Sequence, residues 1–401
     1  MDSIFAPYLT REPQVRLCPE QNATGEFEGI EGLIYEGAPL KGKKTKVFAY
    51  RGYPKNAEAN EKLPAVVLVH GGGGVAFLPW VKQWNERGYV AIAMSNTGDF
   101  PIAENAGYTE SDTIKQLWHH GLCGDFSEEG YADAPGNDGM KHSEAPVEEQ
   151  WMYHAVAQTI LAHNVLREDP RVDASRIGIV GVSWGGIITT LTIGYDNRFA
   201  FAVPIYGSAY LAEARGPEPA VYFKEGRNPE LWLAEHRLDN AKMPILWQCE
   251  TADMAFSLNS NNHSYLHSRS NNPLTRMSAV YDMHHSHKRA WVRHEALAFA
   301  DAVCKGAPML PTLVQEKGRV VCDDPAAEIV SMRVYYLTEP MTYERNEKNQ
   351  MIMQQKWQWQ DLAVADGAAE FAVTDGMFDP YFELIFRIGD ETLLTSIPYE
   401  K

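Results

Sequence analysis

Ser183 stands inside Gly181-Val182-Ser183-Trp184-Gly185, a G-x-S-x-G spacing suited to attack on a carbonyl carbon by an activated hydroxyl. Before it, Ile177-Gly178-Ile179-Val180 alternates β-branched residues with glycine and reads as a strand. After it, Gly186-Ile187-Ile188 and Leu191-Thr192-Ile193 continue as a buried helix. A strand-to-helix turn this sharp projects the serine above the sheet. Gly181 and Gly185 flank a backbone where side chains would collide with strand and helix. The same turn aims the first amides of the helix at the place where a negative charge would form.

A second element lies upstream. Pro64-Ala65-Val66-Val67-Leu68-Val69 is an apolar run of the kind buried on both faces of a sheet, and it ends in His70-Gly71-Gly72-Gly73-Gly74. Glycines at a strand end let backbone amides approach a ligand closely. The expected oxyanion donors are the amide of Trp184 and that of Gly72 or Gly73. No Lys-Ser/Thr follows the glycines, as a phosphate-cradling loop would require, and no G-x-G-x-x-G with an acidic ribose partner stands out. No cofactor is expected. His70 is expected to orient this loop rather than to move protons.

These two elements, with Val172-Asp173-Ala174-Ser175-Arg176-Ile177 at the entry to the serine's strand, carry a resemblance. Over about residues 30 to 310 the chain resembles α/β-hydrolases of the dienelactone hydrolase and acetyl xylan esterase kind. The resemblance implies a mostly parallel sheet flanked by helices, and a chain order of serine, acid, histidine. The acid belongs after the next-but-one strand, where Met243 to Gln248 runs into Cys249-Glu250-Thr251-Ala252-Asp253. Asp253 matches it by position. Glu250 is the alternative, because Cys249-Glu250 and Ala252 depart from the usual Gly-Thr-Asn-Asp-like turn. The histidine belongs after the last strand, Met277 to Met283, in His284-His285-Ser286-His287-Lys288. The family frame matches His285 to the base, with His287 second and His284 third. A rival reading makes Asp282, His284, His285 and His287 metal ligands. Near neighbours on one loop rarely complete a coordination sphere, so no metal is expected. His263 and His267, one helical turn apart, read as a solvated helix face.

Composition narrows the partners. The chain has 401 residues and a formal net charge of -17, which argues against nucleic acid, since phosphate binding needs a basic surface. No run approaches the roughly 18 apolar residues of a membrane span, and the start Met1-Asp2-Ser3-Ile4-Phe5 does not resemble a secretory signal. Five widely spaced cysteines without C-x-x-C suit reduced thiols in a cytoplasm.

Four segments are expected along the chain. Residues 1–28 read as an irregular leader and 29–305 as the α/β-hydrolase domain, 306–324 as a linker and 325–401 as a small β-sandwich. The last follows from alternating segments around Arg333–Leu337, Gln355–Trp359, Ala369–Val373 and Tyr381–Ile388, separated by turn residues. Trp357 and Trp359 are expected to pack within or between domains rather than to stack on sugars. Within the hydrolase part, residues 32–35 and 44–50 read as an entry hairpin and 148–167 as a helix with one apolar face. Residues 96–147 lack periodicity, and Trp118, His119, His120 and Phe126 are expected to wall a substrate pocket. Residues 208–240 could form a partial lid through Tyr210, Phe223 and Trp232.

The resemblance implies a serine-dependent hydrolase of carboxylic esters working through an acyl-enzyme, with a short-chain acyl or acetylated carbohydrate ester as its small-molecule substrate. Two rivals stand beside it: a prolyl-oligopeptidase-like serine peptidase, and a non-catalytic binding protein on the same scaffold.

Overall fold

The computed structural model describes residues 4–55, 61–108, 117–119, 140–216 and 220–400. Val15–Leu17 (β1), Glu31–Glu36 (β2), Lys46–Gly52 (β3), Leu63–Val69 (β4) and Val90–Met94 (β5) come first. Phe100–Pro101 (β6) and Trp118–His119 (β7) form a separate two-stranded ribbon. Val172–Val182 (β8), Ala202–Ile205 (β9), Leu246–Glu250 (β10) and Arg276–Val280 (β11) complete a nine-stranded sheet in the order β1-β2-β3-β5-β4-β8-β9-β10-β11. From β5 to β11 all neighbours are parallel, whereas β1, β2 and β3 join antiparallel at one side. This is the α/β-hydrolase fold. Strand β4 is buried at every residue, as its unbroken apolar sequence requires of a strand covered on both faces.

Strands β4 and β8 lie side by side, with Val69 paired to Gly181. The glycine-rich turn and Ser183 therefore leave neighbouring carboxyl ends of the sheet, where open α/β sheets form their binding crevice. The elbow glycines are required by space. A Cβ on Gly185 would lie 2.0 Å from the Val69 carbonyl oxygen, and one on Gly181 would lie 2.1 Å from the Gly185 oxygen. Gly185→Ala is expected to cost about 1–3 kcal/mol or more, because the obstacle is backbone and cannot rotate away. A lowered urea midpoint at unchanged slope checks this; an unchanged midpoint would mean that the helix can slide.

Over the described residues 4–28 the expected irregular leader is instead built into the fold. Ala6–Leu9 is a short helix and β1 pairs with β2, and Phe5, Tyr8, Cys18 and Phe27 are buried. The Phe5 ring stacks on Tyr153 at 5.1 Å, and the Tyr8 and Tyr153 hydroxyls are 3.0 Å apart. These contacts cover the outer side of helix Trp151–Arg167, which is buried at every position but Arg167 rather than along one face. In the 208–240 segment, Phe223 and Trp232 are core residues, and the Trp232 indole donates to Gln150 Oε1 at 2.8 Å.

Ten further strands follow: Leu313–Glu316 (β12), Arg319–Cys322 (β13), Glu328–Leu337 (β14), Tyr343–Arg345 (β15), Met351–Met353 (β16), Gln358–Leu362 (β17), Val364–Ala365 (β18), Ala368–Glu370 (β19), Phe378–Ile388 (β20) and Glu391–Pro398 (β21). They form antiparallel sheets β12-β13-β19-β18 and β17-β14-β20-β21, with β15-β16 as a separate hairpin. Strands β12 and β13 fall in the stretch expected to be linker. Leu313 and Val320 bury their side chains there, which a solvated linker would not do. Trp357 is buried and edge-on to Tyr381, whereas Trp359 is 52% exposed. The module docks on the last strand of the central sheet, where the Ala279 amide donates to Ser396 Oγ at 2.8 Å. Farther away, Arg87 pairs with Glu391 at 2.8 Å.

Among the described residues no helix is long and apolar enough to cross a membrane. The four described cysteines are free and buried, and Cys123 lies outside the described residues.

Candidate active site

Three side chains from separate strand ends meet above the sheet. Ser183 follows β8, Asp253 follows β10 and His285 follows β11. His285 Nε2 lies 2.9 Å from Ser183 Oγ, and His285 Nδ1 lies 2.7 Å from Asp253 Oδ2. The other Asp253 oxygen accepts the amides of Ala255 at 2.7 Å and Phe256 at 3.0 Å. The carboxylate is thus buried yet fully engaged. Backbone strain gathers here: Ser183, Tyr206, Asp282 and His284 all have φ between 50° and 58°. Non-glycine residues hold such angles at a cost of about 1–3 kcal/mol each, and only where the surroundings over-determine them.

Charge is distributed along this chain in a defined way. Burial alone would raise the Asp253 carboxyl, but His285 and the two amides outweigh it and hold it below its ordinary value. Burial would depress His285, but the Asp253 charge and hydrogen bond outweigh that and raise it. The rings of Tyr206 and Phe256 stack on the imidazole at centroid distances of 4.5 and 5.8 Å. Tyr206 also donates its hydroxyl to the His284 carbonyl at 2.7 Å, tying down the loop that carries His285. Glu250 is buried nearby. Burial and the Asp253 charge raise its carboxyl, and its side chain is turned toward His284 rather than His285.

The other histidines have different tasks. His287 Nε2 accepts the Gly71 amide at 2.8 Å, and burial, followed by repulsion from His70 and His285, lowers its pKa to about 3. It is therefore a neutral acceptor that steadies the glycine turn. His70 is likewise buried and neutral, lowered to about 4 by burial. Its Nδ1 bonds the Gly71 carbonyl and its Nε2 accepts the Asn96 amide, which assigns the Nδ1–H tautomer. His284 faces Asp282 at 3.1 Å. Among the described residues no group of three or more His, Cys, Asp or Glu could hold a metal ion. On the helix Leu258–Asn271, His263 pairs with Glu213, and His267 lies between Tyr210 and Asp239.

The glycine turn closes with a Gly74 amide to Gly71 carbonyl bond of 3.0 Å and a positive φ of 67° at Gly73, which glycine adopts without strain. Gly71 spends its amide on His287. Among the described residues, the amides of Gly72, Gly73 and Trp184 have no protein acceptor. The Trp184 ring meets Trp151 at 5.4 Å and Tyr222 at 6.0 Å, two neighbours that no local motif announces. Trp118 is placed elsewhere. It is buried edge-on to Phe48 at 5.8 Å and Tyr50 at 6.4 Å, and its indole donates to the Ala106 carbonyl at 2.9 Å. That is a core position, beside the pairing of β7 with β6. His120 and Phe126 lie outside the described residues.

The probable dipeptidyl-peptidase 5 of Aspergillus clavatus is 24% identical over 218 residues, covering 52% of this chain and 25% of that protein. The dipeptidyl-peptidase 5 of Porphyromonas gingivalis is 26% identical over 154 residues, 37% of this chain and 17% of that protein. The chain thus spans a quarter or less of the length of these curated relatives. Among solved structures, an acetyl xylan esterase from Paenibacillus sp. R4 aligns with a TM-score of 0.48 and 18% identity, over 73% of this chain and 88% of that one. The model of the dienelactone hydrolase family matches residues 47–294, well over half of the sequence and every strand that positions Ser183, Asp253 and His285. The chain belongs to the dienelactone hydrolase family.

Proposed function

We propose that this protein is a serine hydrolase of carboxylic esters, acting on short-chain acyl esters and among them acylated carbohydrates. The observation that carries this reading is the hydrogen-bonded chain Ser183–His285–Asp253 on a strained elbow. Ser183 Oγ attacks the ester carbonyl while His285 Nε2 takes its proton and passes it to the leaving alcohol. Asp253 holds the imidazole in the Nδ1–H tautomer and stabilises its charged form. The Trp184 amide and that of Gly72 or Gly73 receive the oxyanion, each donor contributing about 3 kcal/mol. Water, deprotonated by His285, then attacks the acyl-enzyme, releases the carboxylic acid and restores Ser183.

The short-chain preference rests on Trp184, whose ring is braced by Trp151 and Tyr222 beside the nucleophile. Catalytic efficiency is expected to fall steeply from acetyl to butyryl to octanoyl p-nitrophenyl esters, since forcing extra methylenes into a braced pocket costs about 1–3 kcal/mol. A preference for octanoyl would reject the deacetylase reading and keep the mechanism.

A second reading, a serine peptidase, is favoured by the dipeptidyl-peptidase relatives. Including aminoacyl-arylamides in the same panel separates the two. Arylamide cleavage at rates comparable to the esters would replace the esterase reading with the peptidase.

A further inference from the structure

The C-terminal sheets have no role in the reaction above, yet they reach its acid. Tyr343, on the first strand of the β15-β16 hairpin, donates its hydroxyl to the main-chain carbonyl of Asp253 at 2.9 Å. Two further approaches are made to the same loop. Tyr381 of β20 is buried beside Thr251. Asp379 pairs with Arg215, whose neighbour Gly216 lies so close to the loop that a Cβ there would sit 1.8 Å from the Met254 carbonyl oxygen. The loop bearing Asp253 is therefore clamped from the module side. Its carboxylate is fixed by its own amides, but its backbone is fixed by Tyr343.

We infer that Tyr343 is a positioning residue for the acid, so that the C-terminal module is a working part of the active site rather than an appended unit. The inference rests on the triad reading of Ser183, His285 and Asp253. An acid orients its histidine only if the loop cannot drift, and misplacement by about 1 Å costs on the order of 100-fold in rate. Burial, reinforced by the Asp253 charge, pushes the Tyr343 hydroxyl well above its ordinary value, so it remains a donor across the working pH range. The groups facing His285 are Asp253 and Glu250 from the acid loop, Tyr206 and Phe256 on its ring, Ser183, and neutral His287 and solvated His284 on its own loop. Of these, Asp253 is the one that Tyr343 holds.

The test uses the full chain and a fluorophosphonate probe, which reacts with an activated serine whatever the natural substrate is. Tyr343→Phe is expected to slow labelling of Ser183 about tenfold, and to move the acid limb of its pH profile down toward the usual imidazole value as Asp253 loosens. Ester KM should change little while kcat falls. Glu391→Gln, which removes the charge that pairs with Arg87 and faces His294 at another point of the same interface, is expected to leave the profile where it was. A Tyr343→Phe profile that superimposes on the wild type would overturn the inference. So would equal shifts in both variants, which would reduce Tyr343 to general docking. Wild-type protein that resists the probe altogether would remove the nucleophile assignment, and this inference with it.

Discussion

Replacing Ser183 with alanine is expected to lower ester turnover about 10⁴-fold or more while leaving the fold intact. The effect is this large because, in the proposed mechanism, Ser183 Oγ is the atom that accepts the acyl group, so its loss removes the covalent route and not one contribution to it. What remains should be the modest background supplied by the free amides of Gly72, Gly73 and Trp184 acting on a bound ester. The fold is expected to survive because, among the described residues, Ser183 Oγ bonds only His285. Removing that hydroxyl leaves no buried donor stranded, and alanine relieves none of the elbow's packing. Hydrolysis of p-nitrophenyl acetate with circular dichroism on the same sample checks both halves. Substantial turnover in the variant would exclude Ser183 as nucleophile.

His285→Ala is expected to be nearly as damaging, whereas His287→Ala should lose about 10- to 100-fold and His284→Ala only a few-fold. The three neighbours differ in what their nitrogens touch. His285 joins the serine to the buried carboxylate, so in the proposed mechanism its loss removes the proton acceptor. His287 accepts the Gly71 amide, so its loss loosens the turn that presents Gly72 and Gly73 without touching proton transfer. His284 faces solvent beside Asp282. The pH dependence follows from the same geometry. His285 must be neutral to accept the serine's proton, and Asp253 favours its charged form. Activity should therefore rise with pH through a midpoint above the usual imidazole value and vanish below it. His287, already neutral down to about pH 3, should leave no mark on that limb. A dead His287→Ala with a half-active His285→Ala would transfer the base role two residues along the loop.

Much of this site is legible in the sequence because its determinants are local. G-x-S-x-G forces its own turn, and the steric demand on Gly181 and Gly185 is met by atoms a few residues away or on the adjacent strand. Asp253 and His285 come from the family resemblance, which sets the acid and the histidine after particular strands, and in the structure they follow the ends of β10 and β11. What the sequence hides depends on distant partners. The N-terminal residues lack periodicity, since their burial comes from Phe5 and Tyr8 meeting Tyr153 and not from any repeat of their own. Trp118 looks like a pocket aromatic in a loop, and only the β6-β7 pairing turns it into the core. Tyr343 is 90 residues from Asp253 and carries no motif at all. His287 resembles a second base until its acceptor bond to Gly71 is seen.

The central claim is that one hydroxyl, on Ser183, carries the acyl group. Peptide-resolved mass spectrometry of the native chain after treatment with a fluorophosphonate tests it most directly, with residual ester hydrolysis measured on the same sample. One adduct per chain on the peptide containing Ser183, appearing in step with loss of hydrolysis and absent from urea-denatured protein, is the predicted result. Full hydrolysis by chains that carry the Ser183 adduct, or inactivation traced to an adduct on another residue, would contradict it.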